Sequence, residues 1–174
     1  QTGATIAEGA SSFAFAVQVN GDALVEANET LLVNVSSLAG ATVLDGQGQG
    51  TITNDDSAGV TISETGGTAV TEGGATDTYT AVLTSQPTAD VTITPSTTGE
   101  VSISPASRTF TAANWNLPQS FTVTANDDAI VEGSEGATIT HTSASADPNY
   151  QGATVASVSA APMGDTLARI IRTV

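Results

Sequence analysis

Four carboxylates, Asp127, Asp128, Glu132 and Glu135, fall within nine residues of the stretch Asn126–Glu135 (NDDAIVEGSE), with no base among them. Two like charges about 4 Å apart repel by roughly 1 to 4 kcal/mol at dielectrics between water and a protein surface, so a folded loop that converges them recruits a cation. The stretch recurs. Asn20–Glu29 (NGDALVEANE) aligns with it without a gap at an offset of 106 residues (Asn20 to Asn126), setting Asp22 against Asp128, Glu26 against Glu132 and Glu29 against Glu135. The chemistry to expect is oxygen-rich cation binding, presented twice at the spacing of an ordinary domain.

Other chemistries find little support. His141 is the single histidine and falls in an alternating strand, without the Ser or Cys partner pattern of nucleophilic catalysis. The paired carboxylates resemble a glycosidase acid and base only in type, since no aromatic-lined cleft or separate second acid accompanies them. DGQGQG lacks the strand-to-helix setting of a phosphate loop and reads as a hairpin. Trp115 reads as a plug at the end of the core rather than a sugar platform, and Tyr79 and Tyr150 as packing residues with the hydroxyl at the rim. Asp90 and Asp147 read as ordinary turn residues, while Glu100, after Gly99, is a further oxygen donor within reach of such a site. Asn28 and Asn34 satisfy the N-x-Ser/Thr pattern, which matters only in a glycosylating host. The expectation is a protein that is not an enzyme.

Composition narrows the partners. Eighteen acids stand against three bases, Arg108, Arg169 and Arg172, with no lysine, for a net charge of -15. Nucleic acid is excluded as a partner, because phosphate neutralisation needs clustered Lys and Arg. Such a surface suits salty or divalent-rich water, where counter-ions screen its self-repulsion. The absence of cysteine removes disulfides and thiolate metal sites and accords with an exported protein. No apolar run approaches the roughly 20 residues of a membrane span, so no transmembrane segment is expected.

The elements that must position the acidic loops are strands. Residues 11–19 (SSFAFAVQV) alternate with Phe13, Phe15, Val17 and Val19 on one face, the period of a half-buried strand. Further strands are expected at 30–36, 50–53, 60–63, 79–83, 91–94, 101–104, 121–124, 137–142 and 154–160, separated by Gly, Pro, Asn and Asp turns. Thr, Ser, Val and Ala dominate them, and helical periodicity is lacking. The second repeat thus offers about seven short strands, the pattern of an immunoglobulin-like sandwich. The first offers about three, because residues 1–56 align with only the back half, 107–162, of the second. The fold class expected is all-β, tandem immunoglobulin-like antiparallel sandwiches with the first incomplete: residues 1–56 a C-terminal half, 57–162 a complete sandwich, and 163–174 a tail or the start of a following element. A chain opening on strand-like sequence inside a repeat reads as a piece of something longer.

These residues resemble a known family. GDALVEANETLLVNVSS with GQGTITNDD is similar to the second half of a Calx-beta domain, and residues 59–160, with VTISETGGTAVTEGGATDTYTAVLTSQPTADVTI and FTAANWNLPQSFTVTANDDAIVEG, resemble a bacterial variety of the same repeat. The resemblance implies Ca2+ ligands at Asp127, Asp128, the backbone of Ile130, Glu132 and Glu135 in the second repeat, and at Asp22, the backbone of Leu24, Glu26 and Glu29 in the first. It adds Glu72 near the first strand's bend, and Asp55 and Asp56 at the end of a last strand. In a gap-free alignment the last two fall opposite Ala161 and Pro162, with Asp165 three residues beyond.

Calcium suits such a set, since it takes six to eight oxygens at about 2.3 to 2.6 Å in an adaptable shell. The resemblance implies an extracellular or cell-surface bacterial module for structure or adhesion, whose partners are neighbouring repeats stiffened by calcium. A second expectation is a homo-oligomer or filament subunit, in which a neighbouring chain completes the partial first domain by strand addition. A third is an accessory sugar-binding or adhesion module, for which Trp115 is the one aromatic candidate.

Overall fold

The computed structural model describes residues 3, 5–36, 38–128, 130–131 and 133–164. Eleven strands and no helix occur among them, and no helix there is long and apolar enough to cross a membrane. The chain divides into two compact units: residues up to Asp22 with Asn28–Ile52, and Ala23–Ala27 with the chain from Thr53 onward.

The first unit contains one hairpin, β1 (Glu29–Asn34) and β2 (Gln47–Ile52), paired antiparallel with Leu31 opposite Gly50. A Cβ on Gly50 would sit 3.3 Å from Leu31 Cγ, so the glycine leaves room for the leucine to lie across the hairpin. The strand expected over residues 11–19 does not form, and Phe13, Phe15, Val17 and Val19 are exposed. The correction has a physical cause. A strand requires neighbours for its N–H and C=O groups and a second layer for its apolar face, and the described part of this unit holds only the β1–β2 pair.

The second unit carries nine strands where the turn spacing predicts about seven. They are β3 (Val60–Glu64), β4 (Thr68–Thr71), β5 (Asp77–Leu83), β6 (Val91–Ser96), β7 (Val101–Ser104), β8 (Arg108–Phe110), β9 (Gln119–Ala125), β10 (Ala137–Ser145) and β11 (Val158–Met163). One sheet has the order β4-β11-β10-β6-β8 and the other β3-β5-β9-β7. Alternation along the strands turns one face of each sheet inward, with Tyr79, Ala81 and Leu83 on β5 and Phe121, Val123 and Ala125 on β9 meeting Val91, Ile93, Ile139 and Val158 in a single core. The architecture is an all-β immunoglobulin-like sandwich. Trp115 packs partly buried against that core, and its carbonyl accepts the Leu83 N–H at 3.1 Å.

Two polar residues lie deeper than their sequence context suggests. The Tyr150 hydroxyl is not at the rim; it donates to the Ser85 carbonyl at 2.7 Å, accepts the Ser85 N–H at 3.1 Å and lies 2.8 Å from Ser85 Oγ, in a fully buried contact. Asp147 is no ordinary turn residue either, being 2% exposed. Its Oδ2 accepts the Thr88 N–H at 2.8 Å and its Oδ1 the Asn149 N–H at 2.9 Å, closing the turn after β10 onto the β5–β6 connection.

Topology fixes which ends meet. β11 pairs parallel with β4, so Met163 and Thr71 stop side by side, while β9 pairs antiparallel with β7, so Ala125 stops opposite Val101. The residues that follow or precede these four positions share one end of the sandwich.

Candidate metal centre

The acidic loop leaves β9 and returns to β10 at that end. Asn126 anchors its start: its N–H donates to the Glu100 carbonyl at 3.0 Å and its side-chain amide donates to the Gly99 carbonyl. The return is anchored on β11, with the Glu135 N–H donating to the Pro162 carbonyl at 3.0 Å and Ser134 bridged to Met163. On the other flank of β11 the Glu72 N–H donates to the Met163 carbonyl at 3.1 Å, and the Glu72 side chain is buried. Glu72, Glu100 and the loop's carboxylates thus converge because β4, β7, β9 and β11 end there.

Within the loop, Asp128 Oδ1 accepts the Ile130 N–H at 2.7 Å, which turns the chain at its tip. Asp127, Asp128 and Glu135 are exposed, as are Ile130 and Val131. Glu132 lies outside the described residues, as does Asp165. The clearest electrostatic consequence falls on Glu100. Its carboxyl is held above the ordinary carboxylate range, first by the charge of Glu135, then by a hydrogen bond between the two carboxyl groups, slight burial, and the charges of Asp128 and Glu72. Four acids from three connections therefore feel one another. Among the described residues, no group of three or more His, Cys, Asp or Glu is close enough to hold a metal ion as it stands.

The first-repeat acids are divided. Asp22 and Glu29 belong to the first unit, and Leu24, Glu26, Asp55 and Asp56 to the second. Within the second unit the Glu26 N–H donates to Asn54 Oδ1 at 3.1 Å and the Asn54 amide donates to the Asp56 carbonyl at 2.8 Å. The same segment is held by a parallel bridge of Leu24 to Gln86 and by the Gln86 N–H donating to the Ala23 carbonyl at 2.7 Å.

Strand register changes the alignment of the last aspartates. Leu31 stands opposite Gly50 in the first hairpin, and its counterpart Ala137 stands opposite Ala160. The counterpart of Gly50 is therefore Ala160, an offset of 110 rather than 106 residues, with the difference taken up in the longer connection before β11. Carried forward, that register sets Asp55 against Asp165, so the second repeat keeps an acid at this position of the sequence. A gap-free alignment conceals it because the repeats differ in a loop.

His141 holds its surroundings together with both ring nitrogens. Nδ1 lies 2.9 Å from the Ala156 carbonyl, which can only accept, so the proton is on Nδ1 and Nε2 accepts from the Tyr79 hydroxyl at 2.9 Å. The shallow groove beside it, about 430 Å3, is lined by Thr142, Ser143, Gly152, Ala153, Thr154 and Val155. His141 is the groove's only titratable side chain.

No protein-family model matches the chain, and no curated protein sequence does. Among solved structures it is similar to SSP-19, an MSP-domain protein like family member in Caenorhabditis elegans, at 12% identity and a TM-score of 0.37, over 57% of this chain and 94% of that one.

Proposed function

We propose that the chain is a non-enzymatic structural repeat module of the Calx-beta kind, whose acidic end takes up Ca2+ and is stiffened by it. The observation that carries this reading is the mutual perturbation of Glu100, Glu135, Asp128 and Glu72 at one end of the sandwich. Unlike charges buried in a core, carboxylates on flexible connections gain most from a cation that accepts several oxygens in an adaptable shell. Asp127 and Glu132, in the same loop, extend the oxygen supply, and the turn at Ile130 brings a backbone carbonyl near it. A net charge of -15 makes the whole surface attractive to cations.

Extracellular sites of this type work at about 10⁻⁴ to 10⁻³ M calcium, which accords with a secreted or cell-surface array in which neighbouring repeats are the partners. The test is a calcium titration of a chelated sample, followed by thermal melting. A hundredfold excess over Kd adds about 2.7 kcal/mol to the folded state, seen as a melting transition several degrees higher. An unchanged transition at 10 mM calcium, with no heat of binding, would sink the reading.

A further inference from the structure

Residues 13–19 and β9 have one sequence pattern and opposite fates. At the offset of 106, Phe15 aligns with Phe121, Val17 with Val123 and Val19 with Ala125. The β9 residues are 0%, 0% and 5% exposed, with β5 on one edge of the strand and β7 on the other. Their counterparts are 48%, 52% and 52% exposed, and no strand forms around them. Alternating aromatic and β-branched residues are equally suited to a strand in both places. What differs is the presence of the flanking strands.

The second repeat therefore shows what such a face takes. We propose that residues 13–19 are a docking strand for a polypeptide segment of the β3–β7 pattern that has no β9 of its own, with a strand like DTYTAVL on one edge and one like VSIS on the other. A second folded copy of this chain does not supply it, because its β5 and β7 already flank its own β9. Charge also favours this stretch as the point of entry. Residues 57–106 carry five acids and no base, whereas Gly9–Gly21 carries no ionisable side chain, so an acidic front half meets no repulsion along the strand itself.

The experiment uses the full chain in chelator, which keeps it independent of calcium, and takes a peptide of residues 57–106 as the probe. Amide hydrogen exchange over residues 13–19 is expected to slow by about tenfold or more on saturation with the peptide. The double variant Phe15→Asp, Val17→Asp should abolish that protection and leave exchange in β5 and β9 unchanged. A second arrangement carries an extra copy of residues 57–106 directly ahead of Gln1, in register because Gln1 aligns with Ser107. Protection of residues 13–19 in either arrangement upholds the proposal. Free exchange in both overturns it, and so does protection that rises with concentration of the chain alone, which would make a second copy the occupant.

Discussion

His141 Nε2 lies 2.9 Å from the Tyr79 hydroxyl, and the two rings meet edge to face, 5.4 Å between centroids, beneath the stack of Tyr79 on Phe121. Burial pushes the His141 pKa below its ordinary 6.5, outweighing the opposing bond to Ala156, and pushes the Tyr79 hydroxyl above its own ordinary value. Both groups are therefore neutral partners at pH 7. A protonated ring would carry two donors and turn one of them against the hydroxyl's proton.

The first prediction follows from that sign. Between the lowered folded pKa and the unfolded value near 6.5 the unfolded chain binds more protons, so stability falls as pH falls through that window. Urea midpoints compared for the wild type and His141→Gln should diverge above it and converge below it. The chain has one histidine, so its ring resonances should report directly a midpoint below 6.5 in the folded protein.

Tyr150→Phe should destabilise the sandwich by about 1 to 3 kcal/mol, because the Ser85 N–H and carbonyl lose their partner while remaining buried. Chemical denaturation measures this. Ser85→Ala, which removes only the contact between hydroxyls, should cost less than Tyr150→Phe.

Asp147→Asn should show its effect only at neutral pH. Burial raises the Asp147 carboxyl, but the N–H groups of Thr88 and Asn149 outweigh it and leave the pKa below the ordinary 3.8. Its contribution is thus fully present above that value and is lost as pH falls through the lowered folded one. Denaturation midpoints of wild type and variant should differ by the equivalent of about 1 to 3 kcal/mol at pH 7 and approach each other near pH 2.

The legible and illegible parts of the sequence separate on physical grounds. Alternation at Tyr79–Leu83 and Phe121–Ala125 identifies both strands and the core face, since period two states which side a strand would bury. The same period at Phe13–Val19 misleads, because it carries no information on whether flanking strands exist. β8 is too short at three residues to show a period. The acidic loop is legible as a composition, and Glu72 and Glu100 were recognisable as candidates from the glycines beside them. That Glu100 is governed chiefly by Glu135 depends on the pairing of β7 with β9 and of Glu135 with Pro162, which no local spacing encodes. Tyr150 and Asp147 follow the same rule, since their partners Ser85 and Thr88 lie across the sandwich.

The last prediction concerns the acidic end itself. With the Glu100 pKa raised, the folded chain without metal binds more protons than the unfolded chain between the ordinary carboxylate value of 4.5 and the folded one. Rising pH across that window therefore lowers stability, as Glu100 ionises beside Glu135, Asp128 and Glu72. Calcium should reverse the slope by supplying the missing positive charge, and its apparent affinity should increase with pH across the same window because the proton and the ion compete for the same oxygens. Glu135→Gln removes the largest cause of the shift. It should flatten the metal-free slope and, in the same variant, weaken calcium binding, as read by calorimetry at two pH values spanning the Glu100 transition. A variant with a flattened slope and wild-type calcium affinity would separate the two, and show that repulsion at this end is relieved by protons alone.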